Sequence, residues 1–110
     1  MRSSTQEEIF PFGGGWFIRG QYFEDERGSL TVFSDTNLLP EDFNSKFSNF
    51  AVKRVILAES AKGVVRGIHL SLPSKQEIKH VLCKQGRIMQ ALIDLRAGVS
   101  TFGTIRYFDL

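Results

Sequence analysis

What most limits the fold of this chain is its punctuation: seven short stretches rich in branched and aromatic residues recur along it, separated by segments that contain Gly, Ser, Pro or Lys. They cover residues 16–23, 29–33, 50–58, 64–72, 77–84, 87–95 and 102–110. β-Branched and aromatic side chains suit a pleated, half-buried surface, and strands of this length at such regular spacing predict an all-β sandwich or barrel. Ten glycines against three prolines agree, because hairpin turns need positive φ. One helical segment is expected over residues 39–47, where Pro40 falls in the first turn and Glu41 and Asp42 sit at the favourable end of the dipole. Residues 1–15 are polar and aperiodic up to Phe10-Pro11-Phe12 and Gly13-Gly14-Gly15, and read as a flexible N-terminal arm ahead of a single domain over 16–110.

A chain of 110 residues that is 42% hydrophobic has room for one core. Its net charge of +2 comes from 14 basic and 12 acidic residues with no long block of one sign, which argues against a nucleic-acid or membrane surface. Any basic site must therefore be local. The single cysteine, Cys83, cannot close a disulfide within the chain, and there is neither a signal-peptide pattern nor a membrane-length apolar run, so a cytoplasmic home is expected. The glycines at 13–15 are followed by neither Lys-Ser nor Lys-Thr, so they do not read as a phosphate loop.

The strongest chemical signal is Gly63-Val64-Val65-Arg66-Gly67-Ile68-His69, where an arginine, a glycine and a histidine interrupt an apolar stretch. In a regular strand Arg66 and His69 point to opposite faces, so a shared pocket requires a bulge or kink at Gly67. The plainer alternative is an exposed arginine beside a structurally bonded histidine. In Glu77-Ile78-Lys79-His80-Val81-Leu82-Cys83, strand alternation places Lys79, Val81 and Cys83 on one face and His80 on the other. Lys79 is then either an ammonium aimed at an oxyanion or a solvated lysine at a strand end. A metal site needs clustered His and Glu ligands, which His69 and His80 on opposite expected faces do not provide.

Taken together, Phe23-Glu24-Asp25-Glu26-Arg27-Gly28, the segment 63–69, Lys79-x-Val81 with Gly86, Ile93-Asp94-Leu95-Arg96 and Ser100-Thr101-Phe102-Gly103 resemble the dTDP-4-dehydrorhamnose 3,5-epimerase family, over about residues 20–110. Phe50-Ala51-Val52-Lys53-Arg54-Val55 is also similar to the related cupins that act as dTDP-sugar 3,4-ketoisomerases. The resemblance implies a cupin-type jelly roll (double-stranded β-helix). It further implies cofactor-independent proton abstraction beside the ketone of a dTDP-4-keto-6-deoxy sugar, in deoxy-sugar or surface-polysaccharide biosynthesis, and a homodimer with residues 16–33 in the contact. His69 matches the catalytic base and Lys79 the residue that stabilises the enolate oxygen. Arg27 and Arg66 match residues that hold the nucleotide's phosphates, which suits planar guanidinium forks.

The departures from the family pattern lie around the substrate. Arg54 and Ile56 stand where the epimerases usually carry a Gln and an Asn, which makes Arg54 a substrate-binding candidate of different chemistry. Val32 replaces a usual Glu, and Leu70-Ser71 replace Tyr-Gln. The resemblance covers the family's first half only, so the jelly roll is expected to be incomplete at the C-terminus, as in a fragment of a longer protein. A non-catalytic sugar-nucleotide-binding cupin is the reading that needs no proton donor.

Overall fold

The computed structural model describes residues 5–11, 14–33, 35, 37, 39, 41 and 51–110. Its regular structure is almost entirely β. The strands are β1 (Thr5–Glu8), β2 (Trp16–Arg19), β3 (Gln21–Asp25), β4 (Gly28–Val32), β5 (Met89–Ile93) and β6 (Ile105–Asp109), and a 3-10 turn lies at Pro73–Lys75. They form three antiparallel pairs, β1 with β2, β3 with β4 and β5 with β6. The chain divides into two units, Met1–Asn49 with Leu82–Leu110, and Phe50–Val81. Among the described residues, no helix is long and apolar enough to cross a membrane.

All six strands belong to the first unit. β3 and β4 meet with Asp25 opposite Gly28, closed by Glu26 and Arg27. Gly28 adopts φ +125°, a backbone value that L side chains resist. The β5–β6 pairing extends one step beyond the strands, through Leu110 N–H to Ile88 O at 2.9 Å and the reciprocal bond at 3.2 Å. Among the described residues of this unit the buried apolar side chains are Phe10 and Phe108, and Phe17 of β2 stacks on Phe108 of β6 with ring centroids 5.3 Å apart. Arg106, two residues before Phe108 and therefore on the same face of β6, lies over that ring at 5.0 Å.

Three expectations change here. Residues 16–23 do not run as one strand, because the chain breaks at Gly20 and sends β2 and β3 to different partners. A Cβ at Gly20 would stand 2.6 Å from the Val32 carbonyl oxygen, so the close approach admits no side chain. Residues 5–8, read as part of a flexible arm, pair with β2, and Ile9 N–H continues the contact to Gly15 O at 2.9 Å. Polar residues can form such a strand because a ladder is built from backbone groups. The strands expected over 50–58, 64–72 and 77–84 are absent: described residues 51–81 hold only the 3-10 turn, and Val55, Val65 and Ile68 are exposed. β-Propensity reports how a side chain fits a sheet, and among the described residues no strand pairs with these segments. The expected helix over 39–47 lies largely outside the described residues.

Candidate functional site

Four of the five candidate residues, Arg54, Arg66, His69 and Lys79, fall in Phe50–Val81, and all four are exposed. With no strand there, pleat alternation does not set their directions, and the opposite-face placement expected of His80 loses its basis. Gly67 adopts φ +104°, a backbone value that L side chains resist. A Cβ built on it would lie 3.2 Å from Nδ1 of His69 and 3.3 Å from the His69 backbone nitrogen. The glycine thus gives the histidine ring room that a larger residue would occupy.

Arg66 is engaged locally: Nε donates to Ser60 Oγ at 2.8 Å and Nη2 to the Glu59 carbonyl oxygen at 3.0 Å. Both acceptors are neutral groups. The Lys79 ammonium lies 4.0 Å from the Glu77 carboxylate, an exposed contact of little strength. Among the described residues, no hydrogen bond joins His69 to Lys79, and Arg54 has no hydrogen-bond or ion-pair partner. No three His, Cys, Asp or Glu side chains of the described residues gather as a metal site.

Arg27, the fifth candidate, sits at the tip of the β3–β4 hairpin in the other unit. Its backbone N–H donates to Asp25 Oδ1 at 2.9 Å, and its Nε donates to both carboxylate oxygens of Asp25, at 3.2 and 3.1 Å. The Arg27 hydrogen bonds hold the Asp25 carboxyl below its usual range, and Asp25 in turn raises Arg27. A phosphate approaching Arg27 would therefore meet a guanidinium already shared with a carboxylate.

The most developed polar arrangement belongs to the segment between β5 and β6, where sequence reasoning marked a motif without giving it a task. Asp94 is only 3% exposed. Its Oδ1 accepts from Arg96 N–H at 3.1 Å and Arg96 Nε at 3.0 Å, while Oδ2 accepts from Arg96 Nη2 at 2.8 Å and Thr101 Oγ1 at 2.6 Å. Its backbone N–H donates to Thr104 O at 3.0 Å and its carbonyl oxygen accepts from Gly103 N–H. Arg96 drives the Asp94 carboxyl far below its ordinary value; burial opposes this, and the Thr101 hydroxyl adds to it. Arg96 also reaches Pro11 O at 2.7 Å, passing so close to Gly14 that a Cβ there would lie 2.8 Å from Nη2. Arg106 repeats the pattern, with Nη1 donating to Ile9 O at 2.9 Å and Nη2 to Glu7 Oε1 at 2.6 Å. A carboxylate two residues before an arginine, followed by Ser-Thr, was the available signal for this structural cluster.

Antiparallel strand pairs make this an all-β protein, and its segment 51–81 carries an imidazole, an ammonium and two guanidinium groups, all of them exposed. The family model described as dTDP-4-dehydrorhamnose 3,5-epimerase matches residues 10–110, and the chain belongs to that family. It is 31% identical over 94 residues to the dTDP-4-dehydrorhamnose 3,5-epimerase of Mycolicibacterium smegmatis, which covers 82% of this chain and 43% of that protein. It is 33% identical over 87 residues to the Shigella flexneri protein of the same name, covering 74% of this chain and 43% of that one. A dTDP-4-dehydrorhamnose 3-epimerase of Streptomyces niveus is 31% identical over 90 residues, 82% of this chain and 42% of that protein. The chain thus spans well under half the length of these curated relatives. No solved structure matches it.

Proposed function

We propose that this chain carries the base and oxyanion-stabilising part of a site that epimerises a dTDP-4-keto-6-deoxy sugar. The observation that carries the reading is the family match over residues 10–110, which takes in Arg66-Gly67-Ile68-His69 and Lys79. The named relatives divide into 3,5-epimerases and a 3-epimerase, so C3 is the carbon common to all of them. His69 takes the C3 proton; the C–H electron pair becomes the C3–C4 double bond, and the ketone oxygen gains the charge that Lys79 balances. A proton returned to the other face of C3 leaves the centre inverted. Imidazole suits the first step because its proton uptake falls near neutral pH, and a fixed cation suits the second because it acts where charge develops. Arg54 and Arg66 hold the diphosphate and sugar, with the paired donors of a guanidinium matching phosphate oxygens. The reading carries with it a cupin-type jelly roll and a cytoplasmic homodimer without a cofactor.

The test is deuterium uptake at C3 of a dTDP-4-keto-6-deoxy sugar in D2O, followed by NMR. His69→Ala is expected to slow the exchange about 10²–10⁴-fold; exchange at the wild-type rate would remove His69 as the base. The spectra also separate the products, since a 3,4-ketoisomerase, the alternative that Lys53-Arg54-Val55 supports, moves the ketone itself. The exposure of both His69 and Lys79 favours a second reading, a non-catalytic sugar-nucleotide-binding protein, for which wild-type protein binds dTDP and exchanges nothing.

A further inference from the structure

Charge is divided unequally between the two units. Residues 50–81 carry Lys53, Arg54, Lys62, Arg66, Lys75 and Lys79 against Glu59 and Glu77, a net of +4, whereas the whole chain carries +2, which leaves −2 for the remainder. In the remainder four arginines are matched to carboxylates: Arg27 to Asp25, Arg87 to Asp109, Arg96 to Asp94 and Arg106 to Glu7. In Phe50–Val81 all six cations are exposed, and among the described residues only Lys79 has a carboxylate within 4.0 Å. Among the described residues, five cations of this segment therefore stand exposed without a carboxylate partner.

We propose that Lys53, Lys62 and Lys75 form a steering surface that draws the diphosphate of a nucleotide-sugar toward the segment bearing Arg66, His69 and Lys79. The inference rests on the function proposed above, and these three lysines have no part in that site. Their positive field extends about 8 Å at physiological salt before screening removes it. A surplus of one sign raises the association rate of an opposite charge by about 10–10³-fold, while exposed ammonium groups that make no fixed contact add little to residence time. The surface therefore acts on encounter and leaves dissociation alone.

Stopped-flow association of dTDP with the wild-type protein and with Lys53→Gln/Lys62→Gln/Lys75→Gln, between about 10 and 500 mM salt, tests this. At low salt the triple variant should bind about 10-fold more slowly, with dissociation changed by less than about twofold, and the two proteins should converge at high salt. Glu59→Gln, which removes an exposed anion from the same segment, should raise the association rate and supplies a second measurement if the triple variant does not fold. Equal association rates and equal salt slopes in wild type and variants overturn the steering surface and leave the site reading intact, as does a loss confined to dissociation. A wild-type protein with no affinity for dTDP overturns both.

Discussion

The Arg96 guanidinium donates a 2.7 Å hydrogen bond to the carbonyl oxygen of Pro11, 85 positions earlier, while the same group holds the buried carboxylate of Asp94. One side chain thus neutralises a charge inside the β5–β6 connection and ties the β1–β2 turn to it. A carboxylate out of water is tolerated only while its partners are in place.

Arg96→Met should accordingly destabilise the protein by about 3–5 kcal/mol, because it leaves the buried Asp94 charge without a counter-ion, held by the residue-96 backbone N–H and the Thr101 hydroxyl. Asp94→Asn/Arg96→Met should cost less than the sum of the single changes, since the second substitution removes the charge that the first left unpaired. Urea unfolding of the four proteins measures both, and a loss below about 1 kcal/mol for Arg96→Met would contradict the burial.

Acid should act through the same carboxyl. Its folded-state value is lowered from 3.8, chiefly by the Arg96 hydrogen bonds, so the folded protein binds fewer protons there than the unfolded chain. The stabilisation is complete above the unfolded value and is lost as pH falls from about 4 toward the folded one. Stability against urea should therefore decline below about pH 4 in the wild type, and the decline should be shallower in Asp94→Asn. Parallel pH profiles would show that other carboxyls set the acid limit.

Gly67→Ala should reduce turnover more than binding. The new methyl would press on Nδ1 of His69 and the backbone would have to leave φ +104°, so the imidazole shifts while the arginines stay. The expected result is at least about a 10-fold loss of C3 exchange with the dTDP dissociation constant changed by less than about threefold. Equal losses in both would mean that Gly67 supports the segment as a whole.

Much of the first unit can be read locally. The β3–β4 hairpin follows from Asp25-Glu26-Arg27-Gly28 between apolar runs, and β5 and β6 fall inside the branched stretches at 87–95 and 102–110, because turn chemistry and strand preference act over a few residues. The same preference misleads at residues 51–81, where Val, Ile and Leu recur without a strand to pair with. The sequence names Arg66, Gly67, His69 and Lys79 as candidates, with their roles implied by the family resemblance; the local engagement of Arg66 by Ser60 was not legible, since nothing in an Arg-Gly-x-His pattern marks a serine six positions earlier as its acceptor.

By itself, then, the order of residues determined the β character, the turns that hydrogen bonds between near neighbours close, and the charged groups available to a ligand. Only the tertiary structure decided that Asp94 is buried, that residues 5–8 form a strand and that Gly20 separates two sheets. Each of these depends on a partner distant in the chain, Pro11 with Arg96, Trp16–Arg19 and Val32 respectively. A group's solvation and pairing are properties of whatever the fold brings against it, and local preference carries no record of that neighbour.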